Sequence, residues 1–203
     1  MWRLLTPLRY FTLRNGEKTA IDITGTLIIG LLILLPFLLV PDASFFRSGG
    51  LLDRLIGLTS ALTGFYVAAL VAAATFAHPD LDVEMTVGAV QRPVRHDGET
   101  TWQSLTRREL VCAVFGYLSF ASLLFSVSAA VLVPIATAAP GAPGWLHIDA
   151  SSVLMNGRAA FRWIGMIVLA GMLAHIMTAT GLGIYYLMER LHYRKPTVTT
   201  PAE

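Results

Sequence analysis

The chain is poor in charge. Only 14% of its 203 residues are Asp, Glu, Lys or Arg, against roughly 25% in a soluble domain. That deficit argues against an ordinary water-exposed surface, and a formal net charge of +2 is too small for a protein that coats nucleic acid. Cysteine is scarcer still. Cys112 stands alone in an apolar run, which excludes an intrachain disulfide framework and suits a small core residue. The sequence holds no GxxxxGK[ST], HExxH, CxxC or GxSxG pattern, so the common signatures of phosphate binding, zinc proteolysis, thiol redox and serine hydrolysis are missing. His78, His96, His147, His175 and His192 are scattered without metal-ligand spacing. Asp80, Asp82 and Glu84 alternate, a pattern too common to specify a cation. No internal repeat suggests an inverted-repeat transporter. The expectation is a non-enzyme with no cofactor and no metal.

What the chain has is long apolar runs. A membrane-spanning helix needs about 20 mostly apolar residues, and four segments qualify: Ala20 to Val40, Leu55 to Ala77, Leu110 to Ile135 and Phe161 to Leu187. A backbone in lipid satisfies its own hydrogen bonds, so the spans are helices. The first is expected to be permanent, because its polar leader and its apolar run are both too long for a secretory signal. Placing residues 1–19, the central segment 78–109 and the tail 189–203 on one side gathers eleven of the fifteen Lys and Arg residues there. That asymmetry predicts that both termini and the central insert are cytoplasmic. The fold expected is all-α integral membrane: helices 1 and 2 over 20–77, helices 3 and 4 over 110–188, and a hairpin-like cytoplasmic insert between them. The far-side connections, Pro41 to Arg54 and Ala136 to Ala160, read as loops, the second from "PGAPG" and "IDASS". The leader intersperses Trp2, Leu4, Leu5, Leu8 and Phe11 with Arg3, Arg9 and Arg14, which suits an amphipathic helix at the bilayer interface. Pro7 weakens that pattern.

The insert is the longest polar interruption. Leu81, Val83, Met85 and Val87 alternate with polar residues, as in a half-buried strand. Asp97-Gly98 is a hairpin turn signal. A β-hairpin with about ten residues per arm fits, with Pro93 at an edge or bulge. Thr106 and Glu109 have capping-box spacing and start the third helix. Arg92, Arg95, Arg107 and Arg108 have two readings: capture of a phosphate or other polyanion, with His96 beside them, or lipid anchoring and pairing with the insert's six acidic residues.

An ionisable group inside a span is costly and points to function. His175 falls near the middle of the fourth span and Asp22 near the cytoplasmic end of the first. His175 either bonds across helices or lines a water-filled path that protonation gates. Ser119, Ser122 and Ser126 share one face of the third span, with Gly116 beside them. Ala170, Ala174 and Thr178 recur every four residues in the fourth. Such faces either pack helices closely or line a pore. One bundle of four helices is too narrow for an ion path, so a pore requires a closed ring of copies, a tetramer by preference.

A basic leader, four spans, a middle loop ending in "LTRREL" and a third helix carrying "FGYLSF" together resemble the small four-span membrane proteins of bacterial anti-phage systems. These are the Hailong-type membrane effectors, paired with a nucleotidyltransferase that makes single-stranded DNA oligomers, and secondly the Kiwa-type membrane subunit. The resemblance implies an inner-membrane effector that forms an oligomeric pore governed by a cytoplasmic ligand or partner. On that reading His175, Ser119, Ser122 and Ser126 are the pore or gate, and Arg92, Arg95, Arg107 and Arg108 bind the ligand. The competing expectation is a non-conducting anchor that recruits a soluble partner protein.

Overall fold

The structure is a computed structural model and describes residues 2–13, 16–39, 45–46, 49–76, 81–82, 84, 90–96, 99–137 and 151–186. A 3₁₀ leader, Trp2–Thr12, precedes α1 (Gly16–Leu39) and α2 (Leu51–Thr75). Strands β1 (Gln91–His96) and β2 (Glu99–Ser104) follow, then α3 (Arg107–Thr137) and α4 (Ser151–Tyr185). All four α-helices are long and apolar enough to cross a membrane, over Lys18–Leu39, Leu51–Thr75, Arg107–Ile135 and Trp163–Tyr185. A multi-pass membrane protein is the architecture these lengths suit.

The helices form a row rather than a closed square. α1 packs on α4, α4 on α3, and α3 on α2. Burial follows that order: half of α4's spanning window is buried, against 6% of α1's. Gly25 faces Thr178 while Gly30 faces Ala174, and Thr59 meets Ser126 while Thr63 meets Ser122. Both pairs of helices therefore run antiparallel. The start of α1, the end of α2, the start of α3 and the end of α4 come to one end of the row, together with the leader and the hairpin.

The core holds Tyr66, Leu110, Val114, Leu118, Phe125 and Ile176. Outward faces carry large aliphatic side chains, including Leu27, Leu31, Leu32, Leu124, Val131, Ile164 and Val168. Ser122, Thr59 and Thr178 are buried. Exposed aliphatic faces around these inward hydroxyls are a distribution that water disfavours and hydrocarbon favours.

Several boundaries differ from expectation. α4 begins at Ser151, well inside the segment read as a loop, because hydropathy measures apolar content and not helicity. α2 begins at Leu51, so the first far-side loop is shorter than its composition suggested. The hairpin is present and centred as predicted, with His96 opposite Glu99 across the turn. Its arms have six residues each, however, and β1 starts at Gln91. Pro93 pairs with Trp102, which a two-stranded sheet tolerates because both strands are edges. Of the alternating run, Val83, Met85 and Val87 lie outside the described residues, and Glu84 makes an isolated bridge to Thr106.

Candidate functional site

Where the leader meets α1, α3 and α4, the ionisable and aromatic groups converge. Lys18, Asp22 and Thr26 lie on one stripe of α1 because they are four residues apart. Lys18 Nζ donates to Asp22 Oδ2 at 2.8 Å, and both side chains are nearly buried, at 4% and 11% exposure. Tyr10 of the leader covers the pair. Its hydroxyl lies 3.0 Å from each Asp22 carboxylate oxygen, and its ring centroid is 3.7 Å from Lys18 Nζ. Tyr10 is fully buried. Burial, and then the charge and hydrogen bond of Asp22, push its hydroxyl well above the ordinary phenol range. It stays protonated, as a donor to that carboxylate must.

The cluster continues inward. The Tyr10 ring stacks on Tyr117 of α3 with centroids 4.6 Å apart. Phe11 stacks on the His175 ring of α4 at 5.4 Å, and Tyr117 meets the same imidazole edge to face at 5.5 Å. His175 Nδ1 lies 3.1 Å from Thr26 Oγ1. His175 Nε2 is the one buried side-chain nitrogen or oxygen without a hydrogen-bond partner among the described residues. The polar stripe from Lys18 to Thr26 thus ends at a titratable ring whose second nitrogen is open.

The serines sit elsewhere. Ser122 and Ser126 are buried between α2 and α3. Ser126 Oγ lies 2.7 Å from Thr59 Oγ1, and Ser122 Oγ lies 2.9 Å from Thr63 Oγ1. Each hydroxyl also has a carbonyl of its own helix one turn back, the usual local bond of a helical Ser or Thr. Ser119 bonds the Phe115 carbonyl at 2.7 Å. Above this ladder, Tyr66 Oη lies 2.6 Å from Thr180 Oγ1 and ties α2 to α4. The structure therefore places His175 and the serines in different helix interfaces. Ala170, Ala174 and Thr178 are buried. Thr178 and Ala174 meet Gly25 and Gly30 of α1, as a closely packing small face should.

Arg108 and Arg92 are paired within the chain. Arg108 makes a two-pronged bond to Asp82, at 2.8 and 3.2 Å, and donates to the Ala74 carbonyl at the end of α2 at 3.2 Å. Arg92 bridges Glu109 at 3.1 Å and bonds Gln103. Glu109 meanwhile closes the predicted capping box. Its Oε2 accepts from the Thr106 amide at 3.1 Å, and its own amide donates to Thr106 Oγ1 at 3.2 Å. Arg107 opens α3. The Arg95 side chain lies outside the described residues, as do His78 and His147. Among the described residues no group of His, Cys, Asp and Glu is arranged to hold a metal.

Sequence reasoning missed Lys18, Thr26 and Tyr117 as site members, and with them Tyr10, Thr59 and Thr63. Tyr10 was hidden in a leader read by its arginines, yet a tyrosine among leucines beside an i,i+4 Lys–Asp pair was the available signal. Thr59 and Thr63 are also spaced by four and match the serine spacing of α3. Comparison with protein-family models, curated proteins and solved structures returns no match.

Proposed function

We propose that this chain is the protomer of an oligomeric membrane pore, gated from the cytoplasmic side by a ligand or partner and acting in bacterial anti-phage defence. The observation that carries the reading is the stripe of buried Lys18 and Asp22 and half-buried Thr26 ending at His175. Simple helix packing does not require an ion pair and a half-bonded imidazole inside a span, and such groups in membrane proteins mark ion and proton routes. The row-like arrangement supports assembly, since α1 and α2 keep broad apolar faces free. The gate is assigned to His175. Ser122 and Ser126 are assigned to holding α2 on α3 through Thr63 and Thr59. The defence setting comes from the resemblance to four-span effectors.

A second reading, the non-conducting anchor, is favoured by one observation: Arg92 and Arg108 already bond to Glu109 and Asp82. An insert with these arginines internally satisfied suits protein docking as well as anion capture. Expression in bacterial cells with a membrane-potential dye separates the two. The pore predicts depolarisation and growth arrest, altered by His175→Ala and largely kept by Ser119→Ala. Polarised, growing cells together with a stoichiometric soluble partner in pull-downs support the anchor.

A further inference from the structure

The leader is an unusual piece of structure. Eleven consecutive residues in a 3₁₀ helix exceed the three or four for which that geometry is ordinarily used, because its hydrogen bonds are poorer than those of an α-helix. Among residues 6–13, whose side chains the structure describes, Tyr10 and Leu13 are buried, Pro7 and Leu8 are half-buried, and Thr6, Arg9, Phe11 and Thr12 remain exposed. Its side-chain bonds to Asp22 come from one hydroxyl, and the rings of Tyr10 and Phe11 add contacts with Tyr117 and His175. Beneath it lies a site that does not depend on the leader for charge balance. Lys18 and Asp22 neutralise each other from the same helix, so uncovering them leaves no orphan charge. A buried ion pair has lost hydration that its mutual attraction does not fully return. Water reaching the pair therefore offsets the loss of the tyrosine contacts. The Lys18–Asp22 pair is charge-balanced with or without the leader over it, and the covered site leaves His175 Nε2 without a hydrogen-bond partner that water would supply.

We propose that the leader is a removable cover, and that its withdrawal admits water along Lys18, Asp22 and Thr26 to His175. This gives the gated-pore reading its moving part and rests on that reading for its purpose, but the cover itself is tested without any flux. Cys112→Ala removes the chain's single native thiol, and Thr26→Cys then places a reporter beneath the leader. The reaction of that reporter with a water-soluble charged methanethiosulfonate is timed in protein reconstituted into liposomes. The same is done in a background of Tyr10→Phe and Phe11→Ala, which removes the hydroxyl and one stacked ring. In a parallel pair of samples the reporter is Ser126→Cys, buried between α2 and α3, which reads the integrity of the bundle in both backgrounds. The expected result is labelling of the Thr26→Cys thiol about tenfold faster in the leader variant, as for a site exposed by local opening, with the Ser126→Cys thiol protected in both. An unchanged rate at the Thr26→Cys reporter overturns the proposal. So does acceleration at both reporters, which makes the leader an integral part of the bundle. Liposome leakage recorded on the same samples distinguishes a failed pore from a failed cover: faster labelling beneath the leader without leakage keeps the cover and removes the pore.

Discussion

Gly25 shows how far a single methyl group can be felt here. A Cβ at this position would lie 2.7 Å from Thr178 Cγ2 and 3.1 Å from its Oγ1, closer than any relaxed packing allows. Thr178 cannot readily turn away, since its hydroxyl donates to the Ala174 carbonyl at 2.9 Å. Gly25→Ala is expected to destabilise the α1–α4 contact by about 1–3 kcal/mol, and Thr178→Ser should recover part of it by removing the offending methyl. Gly30→Ala, whose Cβ would meet Ala174 at an ordinary 3.6 Å, should be neutral or stabilising because alanine is the better helix former. Unfolding in mixed micelles measures all three. The small face of α4 was legible from its four-residue spacing. Its partner glycines were not, because nothing local to α1 states which helix it faces. Tyr10 carries a second residue-level prediction. Its pKa is raised in the docked state from the ordinary 10.0, so the docked leader binds the phenol proton more tightly than the free one. Docking is therefore unaffected below about pH 10 and weakens as pH rises above it. A spin label on Arg9→Cys, in the Cys112→Ala background, should become more mobile only above that pH. In Tyr10→Phe it should be more mobile at neutral pH and lose the alkaline step.

The elements are joined by small numbers of polar contacts, each with its own cost. The Thr59–Ser126 and Thr63–Ser122 contacts tie α2 to α3, and a double-mutant cycle on either pair to alanine should give a coupling of about 0.6 kcal/mol. A value near zero for both would mean that the hydroxyls do not hold that interface. Glu109 does more. One oxygen caps α3 at Thr106, and the other receives Arg92 from β1, so a single carboxylate fastens the hairpin to the helix. Glu109→Ala should cost about 1 kcal/mol through the cap and should speed amide exchange along Gln91–His96. Glu109→Gln, which keeps an acceptor for the cap, should affect the hairpin more than the helix. The cap and the hairpin were readable because both signals are local: Thr106 and Glu109 are one helical turn apart, and Asp97-Gly98 falls between the paired residues His96 and Glu99. Arm length was not readable, because strand pairing depends on the partner strand and the register begins only at Gln91. The leader was legible as a helix and not as a 3₁₀ segment with Tyr10 inside the bundle, since its destination is set by Asp22, Tyr117 and His175.

At the scale of the whole molecule, the distribution of polarity is the dominant fact. Leucine, isoleucine and valine cover α1 and the outer faces of α3 and α4, while Thr59, Ser122, Ser126, Thr178 and the buried ion pair face inward. Hydropathy predicted that arrangement in outline, and the four spans were found within a few residues of their helical cores. The inner chemistry required the fold, because His175, Asp22 and Tyr10 are brought together from three separate stretches of chain. On the proposed reading this inner chemistry serves conduction. The most direct test is ion flux through the purified chain in sealed liposomes, recorded with and without short DNA oligomers on the side bearing the termini, with His175→Ala alongside. A gated pore predicts flux in the parent that the added oligomer or another cytoplasmic ligand switches, and a changed response in His175→Ala. Liposomes that stay sealed with correctly inserted, oligomeric protein under every such condition would contradict it.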